Sequence, residues 1–207
     1  MGREQPYPYR HDPWQVPPGQ PGLPGGADQM SGWLGERLFD RRIVILRGPL
    51  TDSLASQTAG ALLTLDALGD DPVQLHLSAP DGELAAAFAI VDAIDALRAP
   101  VHVTVTSEAG GAAIAVLAAA QRRLAFKHAR FRLSEPRVAS VAGTADQVTA
   151  AAGQYLRELE ELAIRLADVT GQPRSRVEDD LNAGRTLTAD QAVDYGLIDA
   201  IVGAGSD

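Results

Sequence analysis

Three short runs of strand character, "RRIVIL" (apolar centre at 42–46), "VQLHLS" (73–78) and "VHVTVT" (101–106), are separated by two longer stretches of helical character at 51–68 and 83–98. Each run is bounded by Pro, Gly or Asp, residues at which a hydrogen-bonded ladder stops or turns. Strand, helix, strand, helix, strand at this spacing leaves one economical arrangement, right-handed βαβ crossovers that set the strands parallel. The fold class expected is therefore α/β, built of βαβ units around a mostly parallel sheet.

The second half changes character. "RRLAF" and "ARFRL" read as two more short strands, and a long helix then runs from a cap candidate, Thr144, to a stop at Gly171. Within it Val148, Ala152, Tyr155, Leu159, Leu162, Leu166 and Val169 recur at alternating steps of four and three, one narrow apolar stripe. At 1.5 Å per residue the helix is about 40 Å long and outreaches the sheet before it. Its far end is expected to pack on another subunit, because so narrow a stripe suits contact between helices. The C-terminal "RVEDDLNAGRTLTADQAVDYGLIDAIV" reads as two short helices and a closing strand, with Thr188 as a cap.

Ahead of all this, seven of the thirteen prolines fall between Pro6 and Pro24, interleaved with glycines, so residues 1–30 are expected to be an arm without regular structure. Residues 31–207 then form one domain, for which 45% hydrophobic content in 207 residues suffices. The net charge of -9 and the scatter of basic residues argue against nucleic acid, whose phosphates demand clustered Lys and Arg. The absence of cysteine excludes disulfides, thiolate metal sites and cysteine nucleophiles. No apolar leader opens the chain, and the stretch Ala109–Ala120 is too short to span a bilayer. A cytoplasmic protein without membrane contact, metal or other cofactor is expected.

The stretch "TSEAGGAAIAVLAAA" (106–120) leaves a β-branched run, crosses two glycines and becomes an apolar helix. A strand, a tight turn and a helix in this order commonly present a nucleophile at the turn. Here the turn offers only glycine and alanine. Together with "LFDRRIVILRGPL", "LHLSAPDGELAAAFAIVDAID", "FRLSEP", "DVTGQP" and "LTADQAVDYGLIDAIV", it resembles the proteolytic subunit of the Clp protease, ClpP, over roughly residues 34–202. "TADQAVDYGLID" is the most specific piece, and "SAPDG" is similar to that family's Asn-Ser-Pro-Gly-Gly loop. The resemblance implies the Clp/crotonase fold, a long oligomerisation ("handle") helix with a C-terminal helical cap, two stacked heptameric rings, and an inner chamber fed by an AAA+ unfoldase.

Carried over position by position, the family's nucleophilic serine falls on Gly111, its histidine on Ser134 and its aspartate on Gly184, with Asn182 or Asp180 nearer if the register slips. Glycine has no side chain, and a serine hydroxyl cannot take a proton near neutral pH as imidazole does. The backbone amides of an oxyanion hole fall on Gly82 and Ala112. Four carboxylates, Asp81, Glu83, Glu108 and Glu135, fall near the same cleft, either facing solvent or, in another reading, sharing a proton or a divalent cation. The family's unfoldase-docking positions fall on Gln74, His76 and Ala96, which lack the aromatic surface such docking buries, and its Asp-Arg pair on Asn182 and Ala183. The expectation is an inactive subunit like the triad-lacking ClpR-type members, forming rings with itself or with active ClpP paralogues. Three alternatives stand beside it. They are a hydrolase with a relocated nucleophile (Ser134 beside His128, or Ser107), a crotonase-like enzyme using Glu108 or Glu135 with the two amides, and an adaptor whose arm (Tyr7, Tyr9, Trp14) recruits a partner.

Overall fold

The computed structural model describes residues 26–137 and 143–203. The arm as read from the sequence lies largely outside them, but a helix, α1 (Gly26–Asp40), begins inside its last five residues. Gly26, Gly32 and Gly35 hid it, since glycine lowers helix propensity by about 1 kcal/mol each. The chain divides into two compact units, Met1–Arg37 and Leu38–Asp207, and the second carries everything that follows.

In that unit β1 (Ile43–Arg47), α2 (Asp52–Leu68), β2 (Val73–Ala79), α3 (Leu84–Ala96) and β3 (Val101–Gly110) form the expected crossovers, and β1, β2 and β3 pair in parallel. The short α4 (Ala113–Ala118) leads to β4 (Arg122–Phe126) and β5 (Arg130–Leu133). The handle helix α5 (Ala145–Thr170), α6 (Arg174–Ala183), β6 (Arg185–Thr188), α7 (Ala189–Tyr195) and β7 (Ala200–Val202) complete the unit. The strand order is β1-β2-β3-β4-β7, and β5 pairs β3 in parallel and β6 antiparallel. β6 was not legible as a strand, because its four residues are pressed between the C-cap of one helix and the N-cap of the next.

β3 runs four residues further than its β-branched stretch. Its first half pairs β4 through His102–Val105 and its end pairs β5 through Glu108–Gly110, so one strand serves two neighbours in turn. Val73, Leu75, Leu77 and Ala79 are fully buried in a core that includes Leu62 and Leu65 of α2 and Ile90 and Ile94 of α3. The alternate residues form the other face of the sheet, where Ile45, Phe126 and Val202 are 52%, 41% and 43% exposed. Parallel sheets ordinarily bury both faces.

Both expected caps hold as full capping boxes: Thr144 with Gln147 opens α5, and Thr188 with Gln191 opens α7. Only the C-terminal half of the α5 stripe packs inward. Leu162 and Leu166 are buried, whereas Val148 is 44% exposed. Asp180, on α6, accepts bonds from Arg185 Nη1 at 3.1 Å on both oxygens and from the Tyr195 hydroxyl at 2.9 Å. The guanidiniums of Arg176 and Arg185 each lie 5.5 Å from the centroid of the Tyr195 ring. Burial first, and the bond to Asp180 second, push the Tyr195 hydroxyl up to about 12.

A folded-state value above the ordinary one of about 10 makes this tyrosine a stabilising group below that pH whose contribution is lost as pH rises through the folded value. Alkaline ultraviolet titration is therefore expected to show a last-ionising tyrosine, at about 12, that disappears in Tyr195→Phe. A wild-type curve in which all four tyrosines ionise together near their ordinary value contradicts the assignment.

Candidate active site

Open α/β sheets bind ligands beyond the carboxyl ends of their strands, and four loops of this chain meet there. Residues 80–83 after β2 lie between the loop after β1 and the segment after β5. Leu50 N donates to Asp81 O and Glu83 N to Leu50 O, each at 3.0 Å, while Arg137 N donates to Gly82 O at 3.1 Å. Gly82 has no room for a side chain, since a Cβ there would stand 2.5 Å from the Leu50 nitrogen. The fourth loop is the turn after β3, tied to β5 by Gly111 N donating to Arg132 O at 3.2 Å.

Gly111 occupies the turn with φ +51°, and α4 begins two residues on. A Cβ built on it would lie 2.9 Å from Asp81 Oδ1 and 3.5 Å from Pro136 Cα. The place a side chain would take at this turn is therefore filled by the Asp81 carboxylate. The same oxygen accepts from the Gly82 amide at 2.7 Å, and the other, Oδ2, pairs with Arg137 Nε at 2.5 Å. The Asp81 side chain is only 16% exposed. The amide expected to receive a substrate oxyanion thus already has an internal anionic acceptor, and charge-assisted bonds of this kind are about twice as strong as neutral ones.

The other carboxylates do not join it. Among the described residues no three His, Asp or Glu side chains converge as a metal ion needs, so the cation-sharing reading of Asp81, Glu83, Glu108 and Glu135 is not supported by geometry. Glu108 lies opposite Arg130 in the β3–β5 ladder, and Glu83 starts α3 without a side-chain capping bond. Glu135 is exposed and reaches a groove of ≈ 320 Å³ between α5 and α6, where Asn182 also opens. Tyr155 joins α5 to this corner by donating to Pro136 O at 3.0 Å, and its hydroxyl is raised by burial and then by the charges of Glu135 and Asp81.

Ser134 follows β5 and is half-buried, whereas His128 sits in the turn before it. The four residues of β5, a strand about 13 Å long at 3.3 Å per residue, stand between the two. Ser107 is hydrogen-bonded to Ser78 at 2.6 Å rather than to a histidine, and His102 Nδ1 lies 3.3 Å from Gln74 Nε2. Gly184 is the left-handed C-cap of α6 with φ +68°, and Asp180, the alternative there, is engaged by Arg185 and Tyr195 as described. Ala112 forms the N-cap of α4 and, having only a methyl, makes no side-chain capping bond. Gln74 and His76 share the outer sheet face, while Ala96 ends α3 in the helical layer, so the three docking positions do not form one pocket within this unit. Arg137 and Tyr155 escaped sequence reading as site residues. Arg137 follows a proline with no motif around it, and Tyr155 reads as one more member of the apolar stripe.

The profile of the Clp protease family matches residues 28–205. This chain belongs to that family. The ATP-dependent Clp protease proteolytic subunit 3 of Rhizobium etli is 29% identical to it over 172 residues, 82% of this chain and 88% of that protein. A mutant of ClpP1 from Listeria monocytogenes superposes with a TM-score of 0.72 at 26% identity, covering 82% of this chain and 95% of that one. The sheet, the crossovers and the long helix are accordingly those of the Clp/crotonase fold. No helix among the described residues is long and apolar enough to cross a membrane.

Gly111→Ser is expected to destabilise the chain by about 1–2 kcal/mol, because an L-residue enters left-handed backbone and its Cβ displaces the Asp81 carboxylate. Combined with Asp81→Gly, the cost should be less than the sum of the singles by at least about 0.5 kcal/mol. Chemical denaturation of the four proteins measures this, and strict additivity contradicts the contact.

Proposed function

We propose that this ClpP-family chain has lost serine peptidase activity and acts as a structural or regulatory subunit of a ring oligomer. The observation that carries the reading is the Asp81 carboxylate, bonded to the Gly82 amide and filling the space beside a side-chain-free Gly111. Acyl transfer needs an attacking group at the turn, a base to take its proton, and amides free to receive developing negative charge. Gly111 and Ser134 supply neither of the first two, and the Gly82 amide faces a fixed anion instead of an empty hole. A cleft without attacking group or base retains only the residual rate of binding and electrostatics, at most about 10³–10⁴ over water.

Assembly is supported by the surfaces this unit leaves uncovered. The outer face of a parallel sheet carries exposed Ile45, Phe126 and Val202, and α5 projects a stripe whose N-terminal turns pack on nothing in the described unit. Each large apolar side chain buried against another subunit contributes about 1.5–3 kcal/mol. A narrow stripe on a helix about 40 Å long suits a second helix of the same kind, from another copy or from an active paralogue.

Native mass measurement of the chain alone, and after co-expression with an active ClpP from the same cell, tests this together with peptidase rates. The expected result is a multi-subunit assembly that cleaves no peptide alone and changes the partner's rate once incorporated. A monomer that enters no mixed ring, or peptide turnover by the chain alone, overturns the proposal.

A further inference from the structure

Away from the cleft, on the outer face of the sheet, six side chains line a pocket of ≈ 320 Å³: Ile45, Arg47, His76, Ser78, Thr106 and Ser107. None of them lines the cleft at Gly111. The sheet builds the pocket through two features of its register. Arg47 lies opposite Ser78 and Ile45 opposite His76, so β1 and β2 present two rows to one side. Between β2 and β3 the register then slips, Leu77 pairing with Val105 but Ala79 with Ala109. Ser78 consequently faces a bulged segment, and the successive residues Thr106 and Ser107 both turn into the same pocket. Bulges commonly re-aim side chains in this way beside functional sites.

The chemistry of the lining is one-sided. No carboxylate among the described residues lines it, in a chain whose net charge is -9. Four arginines of β4, β5 and the segment after them are engaged: Arg123 pairs with Asp199, Arg130 bonds the Ala129 carbonyl, Arg132 bonds the Pro80 carbonyl and Arg137 pairs with Asp81. By contrast, the side chains of Arg47 and His76 make no hydrogen bond or ion pair with any described residue. Ser78 and Ser107 share one hydrogen bond at 2.6 Å, so whichever hydroxyl accepts it keeps its own proton to donate. Thr106 spends its hydroxyl proton on Leu77 O at 3.3 Å. What remains to donate is the Arg47 guanidinium on β1, the His76 imidazole N–H on β2 and one serine O–H, from Ser78 on β2 or Ser107 on β3, around one space.

We propose that this pocket binds a phosphoryl group, as inorganic phosphate or at the end of a small phosphate monoester. A planar carboxylate has two oxygens, which the fork of Arg47 alone satisfies. A tetrahedral oxyanion has three or more acceptors pointing apart, and these match a guanidinium, an imidazole N–H and a serine O–H converging from different directions. The charge balance that excludes a nucleic-acid surface does not exclude such a site, because one local cationic pocket needs no field across the whole face.

The test is calorimetric titration of the full chain with sodium phosphate, phenyl phosphate and acetate, each against sodium chloride at matched ionic strength. Saturable binding of phosphate is expected, with acetate at least tenfold weaker, and phenyl phosphate binding as well as phosphate identifies the ester as the occupant. Arg47→Gln and Ser107→Ala, both at exposed positions whose loss leaves the core intact, should each weaken phosphate at least tenfold while circular dichroism stays unchanged. Heat indistinguishable from the chloride control, equal affinity for acetate, or phosphate binding undiminished in Arg47→Gln would overturn the assignment.

Discussion

One strand changing partners sets up everything at the carboxyl end of this sheet. β3 leaves β4 after Val105 and takes up β5 at Glu108, and only that exchange lets its last residues run on to Gly110. Because β5 follows it there, the segment Ser134–Arg137 is delivered beside the loop after β2, where Arg137 can hold the Gly82 carbonyl with its backbone and Asp81 with its side chain. Over the same stretch the register between β2 and β3 slips, and Thr106 and Ser107 gather on the opposite face. The cleft and the outer pocket are thus two consequences of one irregular strand.

Within the cleft the decisive feature is a substitution of charge for space. Where the family's loop has its first glycine, Asp81 supplies a carboxylate whose reach equals the gap left at Gly111. A hydroxyl introduced at the turn would meet a carboxylate oxygen already bonded to the nearest amide. The Asp81 carboxylate, paired with Arg137, already holds the Gly82 amide, so that donor is taken in the folded chain. The exposed stripe of α5 and the uncovered sheet face remain available for association whatever happens in the cleft.

Much of this was legible in the residues. Alternation in "VQLHLS" and "VHVTVT", the stripe of the long helix and the two threonine caps each report a local preference that the tertiary structure keeps. The extension of β3 was not, because Ser107, Glu108 and Gly110 carry little strand propensity and are held extended by pairing with β5. The bare turn at Gly111 could be read from the pattern of strand, glycines and helix. What fills it could not, since the partners of Asp81 depend on Arg137, 56 residues away, and no local rule couples the two. The Ser78–Ser107 contact is hidden for the same reason.

The central claim is that no hydroxyl in this chain is activated for attack. Reaction of the purified protein with a fluorophosphonate probe, followed by mass spectrometry of its peptides, addresses that claim most directly. The account predicts an unlabelled chain under conditions that label an active ClpP to completion. A stoichiometric adduct on Ser107 or Ser134 would contradict it.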